Sequence, residues 1–281
     1  MITRHYPFSH DVNTSDVERV VRKRKIPHHT RKIETIHASW RVALALLHGF
    51  ITGAAFLDLS KAFDTVDHQI LLKKLHFLGL NQNSMDWFKS YLTDREQVTT
   101  IGNCLSSPRP VTVGVPQGSI LGPLLFIIYV NDLPQCLRHC KIILYADDTL
   151  IYYSAKSTQD VETFLNKDLE SASLWLQSNL LTLNCSKSRF LLFGSKRRLK
   201  SLRTVAIHIN DSPLEEASSL KYLGVTLNED LSWGDHVKNI ISKTNQRLGL
   251  VRRIKHLLPL HAPLILYHPL ILPIFDYGDI I

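Results

Sequence analysis

The chain has 281 residues, of which 44% are hydrophobic and 21% are charged. This length and hydrophobic content allow one large or two small domains with a true core, and they exclude an intrinsically disordered protein. The formal net charge of +8 favours a polyanionic partner such as nucleic acid, because Lys and Arg side chains that neutralise phosphates release counterions.

The cysteines and the longest apolar run indicate a soluble protein of a reducing, intracellular compartment. The four cysteines are too few and too scattered for a disulfide framework. Cys136, His139 and Cys140 suggest zinc, but no second ligand pair with the spacing of a zinc finger follows them. The apolar run over residues 120–130 is shorter than the roughly 20 residues that span a bilayer. We expect no association with a membrane.

The N-terminal residues 1–34 are predicted to form a flexible basic leader. They lack apolar periodicity and hold a cluster of cations without an intervening acid, namely Arg19, Arg22, Lys23, Arg24, Lys25, Arg31 and Lys32. Such a cluster is a nucleic-acid arm, a nuclear-import signal or a solvated tail, and the sequence leaves these alternatives open. A helix is predicted over residues 35–50.

An apolar strand then leads into Asp58, and two helices follow it. Asp67 is placed to cap the first helix, which carries Ile70, Leu71, Leu75 and Leu78 at helical spacing and stops at Gly79. The second helix begins at Asn83 or Ser84, and its core residues are predicted to be Trp87, Phe88 and Tyr91. Short strands are predicted over residues 95–101 and 111–113.

A glycine-rich loop over residues 114–118 opens a helix over residues 119–131. Backbone amides at the start of a helix favour anions, so this loop suits close approach to a phosphate. Gln117 lies in the loop and can reach a sugar or a base edge without adding charge. The alternative is that the loop is only a turn.

Residues 141–153 have the pattern of a buried hairpin whose turn carries Asp147 and Asp148. Two crowded carboxylates repel each other, and a divalent cation removes that cost. With Asp58 at the end of another buried strand, the pair matches a two-metal phosphoryl-transfer site, for which Mg²⁺ is best suited. An exposed hairpin tip with solvated acids is the alternative.

The remaining elements are a helix, three strands and a basic helix. Ser157 and Asp160 begin a long helix with one apolar face. Strands are predicted over residues 190–193, 205–209 and 220–227. The helix over residues 233–258 has an apolar stripe and a basic face that includes Lys243 and Arg247, which suits either the backbone of a nucleic-acid duplex or plain solvation.

Four blocks in the same order resemble the reverse transcriptase of non-LTR retrotransposons. They are Phe-Leu-Asp-Leu-Ser-Lys-Ala-Phe-Asp at 56–64, Gly-Val-Pro-Gln-Gly-Ser-Ile-Leu-Gly-Pro-Leu-Leu-Phe at 114–126, Tyr-Ala-Asp-Asp-Thr at 145–149 and Tyr-Leu-Gly at 222–224. The resemblance covers about four fifths of the chain. It implies an α+β fold with a right-hand polymerase palm, an antiparallel sheet backed by helices in β-α-β-β-α-β order, with partial fingers and a partial thumb.

The resemblance also implies an activity and a set of site residues. The activity is an RNA-directed DNA polymerase that extends a DNA primer on an RNA template with dNTPs, using two Mg²⁺ ions or Mn²⁺. The implied catalytic residues are the metal ligands Asp58, Asp147 and Asp148 together with Lys187, which would protonate pyrophosphate. The nucleotide would contact Phe63, the steric gate against a ribose 2′-hydroxyl, and Leu59, Gln117 and Gly118. The primer and template would contact Tyr145, Ala146, Tyr222, Leu223, Gly224, Lys243 and Arg247.

The match predicts three regions and one departure from the family. They are the leader 1–34, a palm over 35–232 with partial fingers around 66–113, and an incomplete helical thumb over 233–281. The family's upstream fingers are not recognisable, so we expect a truncated copy that binds primer-template but polymerises poorly.

An inactive nucleic-acid-binding remnant is the alternative function. An RNA-directed RNA polymerase would have a small or polar residue at Phe63. The expected location is nuclear, and the oligomeric state is left open.

Overall fold

The computed structural model describes residues 42–201, 205–210, 212–257, 259 and 262–277. The basic cluster of the leader and most of the helix predicted over residues 35–50 lie outside the described residues. Of that helix, residues 42–50 are described; 42–47 are helical and 48–50 are not, so the helix ends earlier than predicted.

The described elements include both strands and helices. The strands are β1 Ile51–Leu57, β2 Glu96–Gln97, β3 Thr100–Ile101, β4 Cys104–Leu105, β5 Arg109–Pro110, β6 Lys141–Tyr145, β7 Asp148–Ala155, β8 Arg189–Phe193, β9 His208–Ile209, β10 Ser212–Pro213, β11 Glu215–Glu216, β12 Ser219–Tyr222 and β13 Val225–Asn228. The helices are α1 His68–Phe77, α2 Gln82–Leu92, α3 Leu121–Tyr129, α4 Thr158–Ser178, α5 Lys196–Leu199, α6 Gly234–Ile254, α7 Ala262–Leu270 and α8 Leu272–Asp276.

The main sheet has the strand order β11-β8-β1-β7-β6. β1 pairs antiparallel with β7 on one side and with β8 on the other, and β6 pairs antiparallel with β7. Only β11, at the edge beside β8, runs parallel to its neighbour. With helices before β6 and between β7 and β8, the four antiparallel strands β1, β6, β7 and β8 follow the predicted β-α-β-β-α-β order, and the predicted α+β palm is confirmed.

The centre of the sheet is β1, in which every residue is buried. A strand covered on both faces reads as a continuous apolar run, as this one does. Because Gly53 has no side chain, α4 can lie close against β1 at this position. A Cβ added there would come within 2.4 Å of the Val161 side chain. The apolar stripe predicted for α4 is confirmed by the burial of Val161, Leu165 and Leu169.

The helix signals around residues 67–92 are confirmed in part. The carboxylate of Asp67 accepts a hydrogen bond from the backbone N–H of Ile70 at 2.9 Å, and Gly79 ends α1 with a left-handed φ of 86°. The start predicted for α2 is wrong, because Asn81 is the cap: its side chain accepts from the backbone N–H of Ser84 at 2.9 Å. Asn81 was missed because Asn81, Asn83 and Ser84 lie within four residues of one another and each can cap a helix.

Four strand predictions are wrong in extent. Residues 96–110 form a ribbon in which β2 pairs with β5 and β3 with β4, while 111–113 contribute only one bridge residue. The strand predicted over 205–209 is reduced to β9. The segment 220–227 is two strands, because Leu223 and Gly224 both have a left-handed φ and turn the chain between β12 and β13.

The described residues fall into two compact units. One contains residues 58–138 and 170–184, with α1, α2 and α3. The other contains residues 42–57 and 139–169 together with the described residues from 185 onward, and it holds the main sheet and α6. None of the described helices is long and apolar enough to cross a lipid bilayer.

Candidate active site

The predicted Asp147 and Asp148 lie at one end of the main sheet. Tyr145 and Asp148 are cross-strand partners, so the turn between β6 and β7 consists of Ala146 and Asp147 alone. Asp148 is therefore the first residue of β7 rather than part of the turn. Both carboxylates are exposed, whereas Thr149, the next residue, is buried. The hairpin thus presents two acids to solvent on a base that is fixed in the core.

The turn is held in an unusual backbone conformation at Ala146. Its φ of 51° lies in the left-handed region, which non-glycine residues seldom occupy. Ala has no side-chain atom beyond Cβ, so it adds no further steric conflict in this conformation. A left-handed residue in a short hairpin turn also matches the twist of the flanking strands. Ala146 and Tyr145 are both half-buried.

Asp58 follows the last residue of the strand that pairs with this hairpin. In the register of β1 and β7, Leu57 lies opposite Thr149. Asp58 is next in the chain after Leu57, and Asp148 is next before Thr149. The backbone beyond β1 is also fixed, because the carbonyl of Asp58 accepts from the N–H of Asn184 at 2.8 Å and Leu59 bridges Leu183.

The predicted Lys187 precedes the third strand that ends here. β8 begins at Arg189, which lies opposite Phe56 of β1, so its first residue is at the same end of the sheet as Leu57 and Thr149. Lys187 is exposed, two residues before β8. The neighbouring Ser188 is fully buried and anchors this segment. The register of three adjacent strands thus places the strand ends that lead to the acids and to Lys187 at the same end of the sheet.

No group of three or more His, Cys, Asp and Glu side chains that could hold a metal ion is found among the described residues. The carboxylates of Asp58, Asp147 and Asp148 are hard oxygen donors, the chemistry that Mg²⁺ and Mn²⁺ prefer. The chemistry of the donors therefore fits a divalent cation, and the assignment rests on strand ends and residue type.

A hydrogen bond from Gln117 to Asp64, the residue after Phe63, links the candidate nucleotide residues Phe63 and Gln117. Phe63 is half-buried, with its ring centroid 4.7 Å from that of Phe126. Its carbonyl accepts from the N–H of Val115 at 2.8 Å, and Gln117 Nε2 donates to Asp64 Oδ1 at 2.6 Å. Sequence reasoning missed Asp64, although it ends the first resemblance block, six residues after Asp58.

Two further nucleotide candidates differ in access. Gly118 is exposed, with a φ of 78° that favours glycine. Leu59 is only 7% exposed, so little of this residue is accessible to a ligand. Ser119 joins the loop to α3, because its hydroxyl accepts from the N–H of Gly122 at 2.9 Å.

The candidate primer residues Tyr222, Leu223 and Gly224 form the tip of the hairpin of β12 and β13. The rings of Tyr222 and Phe56 meet edge to face at 5.2 Å. Tyr222 and Leu223 are buried, and Gly224 is exposed, so a ligand would meet the tip mainly through its backbone. The hydroxyl of Tyr277 donates to the carbonyl of Leu223, which fixes the turn.

The candidate template cations Lys243 and Arg247 are exposed on α6, one turn apart. Arg247 also donates a hydrogen bond to the carbonyl of Leu270 at the end of α7. Near them on α6 lies His236, which sequence reasoning missed. A lone histidine at the start of an amphipathic helix carries no distinctive signal in a sequence.

Comparison with known proteins gives the family of this site. A palm-like sheet with carboxylates at the ends of adjacent strands is the architecture of a polynucleotide polymerase. The sequence profile of the reverse transcriptases (RNA-dependent DNA polymerases) matches residues 10–227. The chain therefore belongs to the reverse transcriptase family.

Curated relatives from Drosophila melanogaster support this assignment. The chain is 32% identical to the probable RNA-directed DNA polymerase from transposon BS, over 88% of this chain and 28% of that protein. It is 27% identical to the RNA-directed DNA polymerase from mobile element jockey, over 80% of this chain and 25% of that protein. The chain thus spans about a quarter of the length of these relatives, and the resemblance to non-LTR retrotransposon enzymes is confirmed.

Solved telomerases share the fold. The apo telomerase from Candida tropicalis has a TM-score of 0.53 and 13% identity, covering 78% of this chain and 43% of that one. The Candida albicans telomerase in complex with a fragment of telomeric RNA has a TM-score of 0.54 and 16% identity, covering 78% of this chain and 38% of that one.

Proposed function

We propose that this chain is the polymerase part of an RNA-directed DNA polymerase, which extends a DNA primer along an RNA template with dNTPs. The observation that carries the proposal is the register of β1, β7 and β8. This register places the strand ends that lead to Asp58, Asp148 and Lys187 at the same end of the sheet. Family membership supports the same activity.

Asp58, Asp147 and Asp148 would hold two divalent cations, Mg²⁺ or Mn²⁺. When bound, such ions supply a Lewis acid that activates the attacking hydroxyl and stabilises the leaving oxygen. The protein's own contribution is to hold the carboxylates on a fixed base: the buried β1, the tight turn at Ala146 and the buried Thr149. Lys187 would donate a proton to the departing pyrophosphate.

The dNTP would lie against Phe63, Gln117, Gly118 and Leu59. The hydrogen bond between Gln117 and Asp64 supports this proposal, because it ties the glycine-rich loop to the turn that carries Phe63. Packing on Phe126 limits the movement of the Phe63 ring. A ring that cannot move aside is what exclusion of a 2′-hydroxyl requires.

The primer and template would contact two further groups of residues. Tyr145, Ala146 and the tip 222–224 would meet the primer end, and Lys243 and Arg247 the backbone. We propose a palm over 35–232 that includes partial fingers around 66–113, and a thumb over 233–281. Nuclear location stays a prediction, since the basic cluster behind it lies outside the described residues.

The test is primer extension on a homopolymer RNA template with Mg²⁺. Asp147→Asn should reduce extension by at least about a thousandfold while binding of primer-template changes little, because it removes a metal ligand and leaves phosphate contacts in place. Asp160→Asn, an equal charge change at an exposed site on α4, is the matched control and should stay active. Extension retained in Asp147→Asn would remove Asp147 from the site. Binding without extension in the unsubstituted chain would favour the inactive remnant.

A further inference from the structure

A cavity of about 420 Å³ lies among β12, β13, α6 and α8. Three of the residues that line it are cations, Lys221, Lys243 and Arg247, and no described Asp or Glu lines it. A cavity of this size falls within the range of small-molecule sites, about 300–1,000 Å³. Its charge is therefore unbalanced in favour of an anion.

The buried polar group of the cavity is His236. Only 8% of the residue is exposed, and its Nδ1 accepts a hydrogen bond from the backbone N–H of Thr226 at 3.3 Å. A neutral imidazole that accepts at Nδ1 carries its proton on Nε2 and donates there. Nε2 is buried and has no hydrogen-bond partner among the described residues. The ring thus holds an unused donor in a cavity that it lines.

The charge state of His236 fits this role. Burial, and secondly the positive charge of Lys243, lower the pKa of His236 below its ordinary value. At neutral pH the ring is therefore uncharged, with one donor and one acceptor. An uncharged donor beside cations adds direction to their attraction, and it does so without the repulsion that another positive charge would bring.

No carboxylate among the described residues neutralises the cations of the cavity. Neither Lys221 nor Lys243 forms an ion pair with a described carboxylate, and Arg247 donates one N–H to the carbonyl of Leu270 while its other donors can serve a ligand. Asn239 braces the wall by donating to Thr226 Oγ1 at 3.1 Å. Converging donors without a charged acceptor suit the oxygens of a phosphate.

We propose that this cavity binds a single phosphate group, held by Lys221, Lys243 and Arg247 and by the Nε2–H of His236. The phosphate could come from the backbone of a nucleic-acid strand or from a free nucleotide, since the chemistry is the same. Assigning it to a bound strand rests on the proposed function, whereas the phosphate site itself does not.

The experiment follows the imidazole of His236 by NMR in the ¹⁵N-labelled chain. The probes are inorganic phosphate, dAMP and a single-stranded DNA 12-mer, with deoxyadenosine as the phosphate-free control. We expect a saturable shift of the Nε2 signal with phosphate-bearing probes and none with deoxyadenosine. A shift with phosphate and dAMP assigns a free nucleotide or anion as a source, and a shift with the 12-mer alone assigns the strand. No shift with any probe, or an equal shift with deoxyadenosine, overturns the proposal.

A pair of variants on α6 separates the site from general charge. Lys243→Gln should weaken phosphate binding about tenfold, because it removes a charge-assisted hydrogen bond. Lys238→Gln is the matched control: the same helix loses the same charge, but Lys238 pairs with Asp235 at 3.3 Å and lies outside the cavity. Equal weakening by both variants would contradict a built site. Because extension is not the readout, failure here and failure of the polymerase proposal are separate results.

Discussion

Single residues fix the geometry of the candidate site through the backbone. Ala146 holds a left-handed φ, which costs an L-residue on the order of 1 kcal/mol. The neighbouring residues pay for it with their burial, since Thr149 and Leu150 are both in the core. Asp147 is consequently held at the tip by the chain rather than by its own side chain.

The role of Phe63 can be tested by measuring substrate selection. Phe63→Ala should raise ribonucleotide incorporation relative to deoxyribonucleotide, because the space that the ring occupies becomes available to a 2′-hydroxyl. The half-buried ring packs on Phe126, so the change should also cost roughly 1–3 kcal/mol of stability, less than the loss of a fully buried Phe. Steady-state ratios of kcat/KM for dNTP and rNTP measure selection and do not depend on the folded fraction. An unchanged ratio in the folded variant would leave Phe63 as a packing residue.

Asp230 gives the protein an acid-sensitive contribution to stability. Burial alone would raise the pKa of this carboxyl, but hydrogen bonds from the hydroxyl and N–H of Ser232 and the ion pair with Lys196 at 3.1 Å outweigh it and lower the pKa to about 2. A pKa that is lower in the folded than in the unfolded chain stabilises the fold above the unfolded value. That stabilisation is lost as the pH falls from about 4 to about 2.

Asp230→Asn should therefore remove a pH-dependent part of the folding free energy. At neutral pH the variant should be less stable by about 1–2 kcal/mol, a value reduced for the exposure of Lys196. The difference should shrink toward pH 2, where about half of the wild-type carboxyl is protonated as well. Urea unfolding of both proteins at pH 7, 4 and 2 measures it. A difference that stays constant with pH would show that Asp230 acts through packing and not through its charge.

At the scale of elements, the contact of β1 with α4 depends on the absence of a side chain at Gly53. An added Cβ would lie 2.4 Å from the Val161 side chain and 3.2 Å from that of Phe190, and both neighbours are fully buried. Gly53→Ala should destabilise the fold by about 1–3 kcal/mol, the usual cost of overpacking. Val161→Ala in the same chain should relieve part of that loss. Urea unfolding of the single and double variants measures the coupling.

Gly249→Ala is the control for this prediction. Gly249 lies inside α6 with nothing near the position of an added Cβ, so Ala should be neutral or should stabilise by up to about 1 kcal/mol through helix propensity. Additive effects of Gly53→Ala and Val161→Ala would contradict a direct contact between the two sites.

The main sheet was predictable from the sequence because its strands are strongly apolar and lie between clear turn signals. The runs around β1, β6, β7 and β8 satisfy this, and the resemblance supplied their order. In the ribbon of β2 to β5, β2 and β3 were predicted as one strand and β4 and β5 were missed, because the residues of all four strands are exposed and burial imposes no alternation on them. The turn at Leu223 was missed because an apolar residue with a left-handed φ gives no turn signal.

The candidate site divides in the same way. Asp58, Asp147, Phe63 and Gln117 stand in motifs and could be named from the sequence. The link from Gln117 to Asp64 and the buried donor of His236 could not, because both are defined by tertiary contacts. Sequence motifs identify residues that meet a ligand more readily than those that hold them in place.

At the scale of the whole molecule, the excess of cations makes nucleic-acid binding sensitive to salt. The net charge is +8, and α6 carries exposed Lys and Arg along much of its length. Each phosphate that is neutralised releases condensed counterions, so the logarithm of the affinity falls with the logarithm of the salt concentration, by about 0.7–0.9 per contact. The number of phosphate contacts can therefore be counted without a structure of the protein bound to nucleic acid.

Neutralising two cations of α6 should lower that slope in proportion. Arg252 and Arg253 are both exposed near the C-terminal end of the helix. If both contact the backbone of bound primer-template, replacing them with Gln should reduce the slope by about 1.4–1.8 and weaken binding alike for all sequences. The same charge change at the exposed Lys167 and Lys200 is the control, and it should leave the slope within about 0.5 of the wild-type value. Fluorescence anisotropy measures the affinity of the wild type and of both double variants for primer-template. The salt concentration is varied between 50 and 200 mM, roughly the range over which such slopes are resolved. Equal slopes in the two double variants would mean that charge acts over the whole surface and that α6 is not a defined track for the duplex.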